Sequence, residues 1–416
     1  MPPEFTPTRQ AGLDRLAAAS PRLGTAYAAE RNVDPGPGAP STTAVLSPWL
    51  RHRLLLEEEV ARAALAAHGP ASDKFVQEVF WRAYFKGWLE THPSAWEGYR
   101  RRLDADRNRL AVEGGLRRVH DDACAGRTGI DCFDAWAAEL VGRNWLHNHA
   151  RMWFASIWIF TLRLPWTLGA EFFARHLLDG DAASNTLSWR WVAGLHTRGK
   201  HYVARAENIR RYTDGRFDPA GQLDEDPAPL QEDTYPAEVR LPPPDAPPDG
   251  DVWLLLHDED LVPETLPLGD RRVRGVAALC THPALALDGT AAPVTAFARA
   301  ATADALNRAG RHFGVPATLL DGPRAVADWA GGPVVAPHAP VGPAAEALTA
   351  CDVPVSRLLR DWDARTWPYA ARGYFKLRSR IPALVQDLGL GPGEGSAQAL
   401  DAIPSTSNTS PSSAPG

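Results

Sequence analysis

A stretch rich in proline and aspartate, residues 218–251, divides the chain into two parts with different sequence patterns. Pro242, Pro243 and Pro244 lie at its centre, and this composition is typical of an extended linker without a core of its own. A chain of 416 residues is long enough for two domains of the usual size, about 100–200 residues. We therefore expect one domain in residues 1–220, a linker in 221–250 and a second domain in 251–390.

The part before the linker has a helical pattern. Its apolar residues recur at spacings of three and four, and alternating β-branched residues are almost absent. Ser47 followed by Pro48 predicts the start of a helix that continues through the acidic residues 57–59. Asp73 predicts the cap of the next helix, which runs through Phe85, and a longer helix is expected at about 148–162.

The part after the linker has an α/β pattern. Short apolar runs, typical of buried parallel strands, alternate with helical stretches such as 294–313. These runs are residues 252–256, 276–279, 317–320 and 334–337. A helix-rich end begins at Trp362 and is expected to pack back on the core. Residues 391–416 are rich in Gly, Ser, Pro and Ala, which predicts a disordered tail.

The cysteines and the apolar stretches exclude several classes of protein. Four cysteines (Cys124, Cys132, Cys280 and Cys351) show neither a CxxC pair nor the spacing of metal ligands, so we expect no disulfide framework and no metal site. The most apolar stretch, residues 152–162, is shorter than the about 20 residues that span a bilayer. These features predict a soluble, cytoplasmic protein without a membrane partner.

Charge is distributed unevenly along the chain. Residues 1–220 hold 29 Lys and Arg against 25 Asp and Glu, whereas residues 221–416 hold 15 against 25. The first part also contains 11 of the 15 tryptophans. A mildly basic, Trp-rich region can offer stacking faces beside phosphate-binding groups, although core packing is the commoner role of tryptophan. The first part is thus the expected place for an anionic partner.

Five motifs follow one another in the first part. They are TAVLSP at 43–48, EVFWR at 78–82, GRTG at 126–129, NWLHNHARM at 144–152, and LLDGDAASN at 177–185 followed by WRW at 189–191. Together they resemble the FAD-binding region of the cryptochrome/DNA photolyase family. The resemblance covers most of residues 5–210.

The resemblance implies a fold and an unusual domain order. It implies a mostly α-helical FAD-binding domain of the photolyase type, followed by a smaller, Rossmann-like α/β domain. In the family the α/β lobe comes first, whereas here an α/β segment follows the linker. Residues 253–261 resemble a degenerate form of that lobe's opening strand, which implies a swapped or permuted arrangement. The antenna chromophore stays unassigned.

The chemistry of these motifs suits a flavin dinucleotide. A helix that begins at 43–48 presents free backbone N–H groups to a pyrophosphate, although an ordinary N-cap would look the same. A pair between Arg151 and Asp179 would favour the anionic reduced flavin, and a structural salt bridge is the alternative. The resemblance places Asn185 at flavin N5, and a loop cap is its alternative. It implies cofactor contacts from Tyr27, Thr43, Val45, Leu46, Ser47, Arg82, Asn148, Arg151, Asp179, Asp181 and Asn185.

The resemblance also implies substrate and electron-transfer residues. Trp81 and Trp191 match aromatic positions that flank a flipped pyrimidine dimer, and extruding a damaged base costs less than extruding a normal one. Glu78 matches a carboxyl that hydrogen-bonds the dimer, and Met152 a methionine packed against it. His149 stands where the family has an Arg that contacts DNA phosphate. Trp166 and Trp189 match the first two members of an electron-transfer chain, whose third tryptophan is missing from residues 110–113.

The expected function is therefore light-driven repair of cyclobutane pyrimidine dimers in damaged DNA. We expect the protein to be a monomer and to use reduced, anionic FAD. The expected catalytic residues are Glu78, Asn185, Trp166 and Trp189. A cryptochrome-like photoreceptor that photoreduces FAD without repair is the alternative. The sequences Asp179-Gly-Asp181 and His147-Asn-His149 also resemble fragments of metal sites, but the further ligands that such a site needs do not accompany them.

Overall fold

The computed structural model describes residues 4–246 and 248–391, so the predicted tail lies outside the described residues except for Gly391. Within the described part, residues 4–220 form helices and turns and contain no strand. The α-helices are α1 (Arg9–Ala19), α2 (Thr25–Glu30), α3 (Ser47–Arg51), α4 (Glu57–His68), α5 (Asp73–Thr91), α6 (Ser94–Val112), α7 (Gly114–Cys124), α8 (Asp131–Arg143), α9 (Asn148–Ser156), α10 (Trp166–His176), α11 (Ala182–Ala193) and α12 (Ala206–Tyr212).

The helix predicted from Ser47 through residues 57–59 is wrong, because the chain breaks it into α3 and α4. Arg53 has a φ of 46°, which ends the right-handed helix, and Leu54 turns into the core with no exposed surface. A new helix starts where the Glu59 carboxylate accepts a hydrogen bond from the backbone N–H of Leu56 at 2.9 Å. The acidic residues 57–59 form the first turn of α4, where negative charge is favourable.

The other two helices predicted in this part are confirmed. The one predicted from Asp73 is α5, which runs on to Thr91, but the predicted cap is wrong, because Ser72 occupies the N-cap position and Asp73 is the first helical residue. The one predicted at 148–162 is α9, followed by a single π turn at Ile157–Thr161.

The segment predicted to be a linker is irregular but lies against the helical part. The Leu230 N–H donates to the Ala193 carbonyl at 2.9 Å, and the Val239 N–H donates to the Thr91 carbonyl at 2.7 Å. The hydroxyl of Tyr235 donates to the His196 carbonyl at 2.8 Å. These bonds fix the extended segment along α5 and α11.

A five-stranded parallel sheet follows, with the order β3-β2-β1-β4-β5. This is the order of a doubly wound, Rossmann-like sheet. Its strands are β1 (Asp251–His257), β2 (Arg272–Leu279), β3 (Ala317–Leu319), β4 (Val334–Pro337) and β5 (Val355–Leu358). Its helices and those of the C-terminal end are α13 (Ala292–Phe313), α14 (Ala325–Trp329), α15 (Pro343–Thr349), α16 (Asp361–Thr366), α17 (Gly373–Arg378) and α18 (Ile381–Asp387).

The two faces of the sheet pack against different partners. Leu254 and Leu256 belong to the large hydrophobic cluster that also contains the core of the helical part. Leu255, which points to the opposite face, belongs to a smaller cluster with Ala277 and Leu279. The helical part and one face of the sheet therefore share a continuous core. Within the described residues, no helix is long and apolar enough to cross a membrane.

Candidate functional site

The predicted phosphate-binding segment lies beside a small basic cavity. Tyr27 and Thr43 line a cavity of about 240 Å³ together with Arg15 and Arg22. Two guanidinium groups and a hydroxyl suit a phosphate. The volume is below the about 300–1,000 Å³ of typical small-molecule pockets, so this cavity accommodates only part of a dinucleotide.

The residues after Thr43 lead into α3. Val45 has a φ of 52°, a strained conformation for a β-branched residue, and Leu46 is buried. Ser47 opens α3, and its Oγ accepts a hydrogen bond from Nε1 of Trp145 at 3.3 Å. This bond ties the segment to the loop that precedes α9.

Arg151 and Asp179 form the ion pair predicted from the sequence. Nη2 of Arg151 donates to Oδ2 of Asp179 at 2.9 Å, and Nε of Arg151 donates to the Leu146 carbonyl at 2.8 Å. Oδ1 of Asp179 is buried and has no hydrogen-bond partner among the described residues. A buried acceptor of this kind is costly unless a ligand donor meets it. Asn148, which begins α9 one turn before Arg151, is exposed.

Asp181 precedes α11 as its N-cap residue, and Asn185 lies on the first turn of the helix. The Asp181 carboxylate caps this helix, because it accepts hydrogen bonds from the backbone N–H groups of Ala183 at 3.0 Å and Ser184 at 2.9 Å. The side-chain amide of Asn185 donates to the Ala170 carbonyl at 2.8 Å. The small basic cavity, the unpartnered Asp179 oxygen and the amide of Asn185 together fit a bound FAD.

A layer of buried charges joins the helical part to the sheet. Nζ of Lys86 lies 2.9 Å from both Oδ2 of Asp181 and Oε2 of Glu259, and Nη2 of Arg51 lies 2.8 Å from Oε1 of Glu259. Arg82 pairs with Glu57 at 3.1 Å and lies 3.7 Å from Asp181. A second group of ion pairs adjoins it, and the whole charge layer comprises Arg51, Arg53, Glu57, Arg82, Lys86, Asp181, Glu259, Asp260, Arg360 and Asp363.

These contacts keep Asp181 and Glu259 ionised. Burial by itself favours protonation of Asp181, but Lys86, Arg82 and Arg51 hold its pKa well below the usual range. Burial acts on Glu259 in the same direction, and Arg51 and Lys86 nevertheless lower its pKa to about 2. The predicted cofactor residues Arg82 and Asp181 are therefore committed to ion pairs inside the chain.

The charge layer fills the position where doubly wound sheets usually bind ligands. Such sheets bind at the carboxyl ends of the strands where the strand order reverses, which in this sheet is between β1 and β4. Residues 258–260 follow β1 directly. Arg51 of α3 and Lys86 of α5 pair with Glu259, and Arg53, two residues after α3, pairs with Asp260. The helical part thus occupies this crevice itself.

One buried cluster beside the layer has the residue types of a metal site. His52, Asp258 and His282 offer ligand atoms within 4.8 Å of one another. Nη2 of Arg51 donates to Nδ1 of His282 at 3.1 Å, which uses that nitrogen's lone pair and adds a positive charge. Nδ1 of His52 donates to the Asp258 carbonyl at 2.7 Å. A cation is disfavoured beside the guanidinium, so we assign this cluster to the interface.

The predicted dimer-binding residues of α5 contact other parts of the chain. Glu78 forms an ion pair with Arg31, and burial nevertheless raises the pKa of Glu78. Trp81 stacks on Tyr374 of α17, with ring centroids 3.5 Å apart and planes inclined by 12°. The chain itself therefore supplies a partner for both side chains.

The remaining substrate residues lie around α9 and α11. Nδ1 of His149 bonds to the Asn32 carbonyl at 2.8 Å, and its Nε2 lies 3.3 Å from the hydroxyl of Tyr202. Trp191 stacks on Tyr202 with centroids 5.6 Å apart. Met152 is partly exposed on α9. The structure thus joins His149 and Trp191 through one tyrosine.

The two predicted electron-transfer tryptophans are buried in different aromatic groups. Trp189 contacts Trp158 at a centroid distance of 6.2 Å. Trp166 contacts Tyr99 at 5.6 Å, and Tyr99 contacts Trp96 at 5.4 Å. Nε1 of Trp158 donates to the carbonyl of Pro165, the residue before Trp166, at 2.9 Å, which links the two groups.

Sequence reasoning missed the charge layer and the partner of Trp81. A signal for the first existed in Arg51-His52-Arg53 and in the acidic residues 258–260, because charges directly after a buried strand are unusual unless they are paired. No local signal pointed to Tyr374, which lies almost 300 residues after Trp81.

Comparison with known proteins identifies related sequences. Residues 75–225 match the family described as the FAD binding domain of DNA photolyase. A deoxyribodipyrimidine photo-lyase of Streptomyces griseus is 31% identical over 206 residues, which cover 46% of this chain and 44% of that protein. Cryptochrome-1 of Arabidopsis thaliana is 34% identical over 97 residues, 23% of this chain and 14% of that protein.

The chain thus spans less than half the length of these curated relatives. Among solved structures, a bacterial class III photolyase from Agrobacterium tumefaciens aligns with a TM-score of 0.43 and 25% identity, over 50% of this chain and 43% of that one.

Proposed function

We propose that the protein repairs cyclobutane pyrimidine dimers in DNA with light-excited FAD, because its helical part is similar to members of the cryptochrome/DNA photolyase family. The ion pair between Arg151 and Asp179 is the observation that carries the proposal. Its guanidinium is partly exposed, and one oxygen of its carboxylate is buried and lacks a partner among the described residues. A fixed cation with an adjacent free acceptor is the environment that an anionic ring with an N–H group requires.

We assign the following roles at the cofactor. When bound in its reduced anionic form, FAD supplies the electron that light makes available. Arg151 stabilises negative charge beside the ring, and Asp179 both orients Arg151 and accepts a hydrogen bond from the ligand. Asn185 presents an amide from the first turn of α11. Arg15 and Arg22 hold phosphate in the cavity beside Tyr27 and Thr43.

At the substrate end, the proposal assigns damaged DNA to the face formed by α5, α9 and α11. Trp81 and Trp191 offer aromatic faces for an extruded dimer, and Met152 packs beside it. Glu78 donates a hydrogen bond when protonated, and its raised pKa favours that state. The protein acts as a monomer in this proposal.

A photoreceptor that photoreduces FAD without repair is the second candidate. The contacts of Glu78 with Arg31 and of Trp81 with Tyr374 favour it, because both side chains already have partners in the chain. While these contacts persist, Trp81 and Glu78 are not free to bind a dimer.

One experiment separates the two candidates. The full chain is purified, its flavin spectrum is recorded, and an oligonucleotide with one cyclobutane dimer is incubated with it in light and in darkness. We expect light-dependent loss of the dimer and no change in darkness. A Glu78→Ala variant removes the hydrogen-bond donor and is expected to lower repair per absorbed photon, while Glu97→Ala, on the exposed face of α6, serves as its control. Photoreduction of the flavin without repair would instead support the photoreceptor.

A further inference from the structure

Tyr374 of α17 covers Trp81 in the way that a base would. The two rings lie 3.5 Å apart and are nearly parallel at 12°, which is the geometry of a stacked pair rather than of edge packing. The Tyr374 hydroxyl donates to the carbonyl of Gln77 on α5 at 2.8 Å. Tyr374 is 7% exposed, so the contact is closed to solvent.

The contact belongs to a longer C-terminal segment, residues 361–390, part of which lies along α5. Trp362 packs on Phe80 with ring centroids 4.7 Å apart. Trp367 lies so close to Gly87 that a Cβ there would come within 2.7 Å of its ring. These contacts hold the start of the segment firmly, whereas Tyr374 lies further along.

The structure leaves room for Tyr374 to move. Gly373, directly before it, has a φ of 36° and therefore lies in the region where glycine is favoured. Gly373 also lines a cavity of about 480 Å³ with Tyr84, Trp88, His196 and other residues of this face. Leu377 of α17 has no exposed surface, so the helix itself stays packed, and the Tyr374 side chain is the part that can turn towards this cavity while Trp362 and Trp367 also remain packed.

We propose that Tyr374 is the residue that controls access to Trp81: it occupies the position of a stacked base and leaves before a base of damaged DNA binds there. This inference rests on the proposed function. It assigns the specificity for damaged DNA partly to a competition, because a base displaces the tyrosine only where its extrusion costs little enough for its binding to outweigh the contact of Trp81 with Tyr374.

The test measures binding of the full chain to an oligonucleotide with one cyclobutane dimer and to the same undamaged oligonucleotide, in darkness. Tyr374→Ala is expected to bind the dimer about two- to thirteenfold more tightly than the wild type, equivalent to about 0.5–1.5 kcal/mol for an aromatic pair. Tyr374→Phe keeps the ring but loses the bond to Gln77, so a smaller gain is expected and folding is less at risk. Phe375→Ala removes the exposed neighbouring ring and is the control, with no change.

A double substitution isolates the stacking face. When Trp81 is already replaced by alanine, Tyr374→Ala is expected to give no further gain. If the wild type and both Tyr374 variants bound the dimer equally well and still preferred it to undamaged DNA, Tyr374 would not regulate access to Trp81. The repair assignment would then stand. If the Tyr374→Ala variant was folded and contained flavin but showed no preference for the dimer, both the role of Tyr374 and the repair assignment would be wrong. A gain that persisted without Trp81 would also overturn the inference.

Discussion

Replacement of Glu259 by glutamine tests whether the charge layer holds the two parts of the chain together. The Glu259 side chain is 6% exposed and contacts Arg51 at 2.8 Å and Lys86 at 2.9 Å. Its pKa of about 2, against an ordinary 4.5, corresponds to about 3 kcal/mol at 1.36 kcal/mol for each pKa unit. Removing one partner of a buried ion pair costs about 3–5 kcal/mol in general. We expect Glu259→Gln to lower the free energy of unfolding by about 3 kcal/mol at pH 7.

The assay is urea denaturation followed by circular dichroism and by tryptophan fluorescence. Because the folded state lowers the pKa of Glu259, its stabilisation is complete above about pH 4.5 and is lost as the pH falls towards 2. The difference between wild type and variant is therefore expected to shrink in that window. Asp288→Asn is the matched control, because the pair of Asp288 with Arg107 joins the same two parts at the exposed surface. A loss below about 1 kcal/mol for Glu259→Gln, or a difference that is unchanged at pH 3, would refute the reasoning.

Three further predictions concern the cofactor and the packing of α5. Asp179→Asn is expected to reduce the flavin retained on purification, because it removes the charge that holds Arg151, and the absorbance ratio of flavin to protein measures this. Trp166→Phe and Trp189→Phe are expected to slow photoreduction while flavin content stays the same, and unchanged rates in both variants would remove them from the electron route. Gly87→Ala is expected to lower the melting temperature, because its Cβ would collide with the C-terminal segment, and an unchanged melting temperature would show that the segment yields freely.

The local sequence pattern was sufficient to predict the strands that are buried on both faces. The runs at 252–256 and 334–337 predicted β1 and β4, because a central parallel strand is buried on both faces. The strand β5 escaped this pattern because Ser356 and Arg357, which are partly exposed, interrupt its apolar run. The break between α3 and α4 escaped it as well, since Arg53 adopts a positive φ that its residue type does not favour.

The candidate site was predictable where its partners are close along the chain. Arg151 and Asp179 are 28 residues apart and belong to neighbouring motifs of the same family resemblance, and the structure contains the ion pair between them. The partners of Arg53, by contrast, are 207 and 310 residues away, at Asp260 and Asp363. Only the packing of the sheet against the helical part brings them together, and a pattern within either part carries no information about the other.

These separations also govern how the protein is made. During synthesis the amino-terminal residues emerge first, so Arg53 and Lys86 must wait for residues 258–260 and, for Arg53, for residue 363. Until then Arg53 has only Glu57, and Lys86 only Asp181, as its close ion-pair partner, so the chain around them remains hydrated and incompletely packed. Native contacts of this sequence range are slow to form. A ribosome that stalls between residues 220 and 258 would therefore present a helical chain that cannot finish folding, and we expect such a nascent chain to bind chaperones.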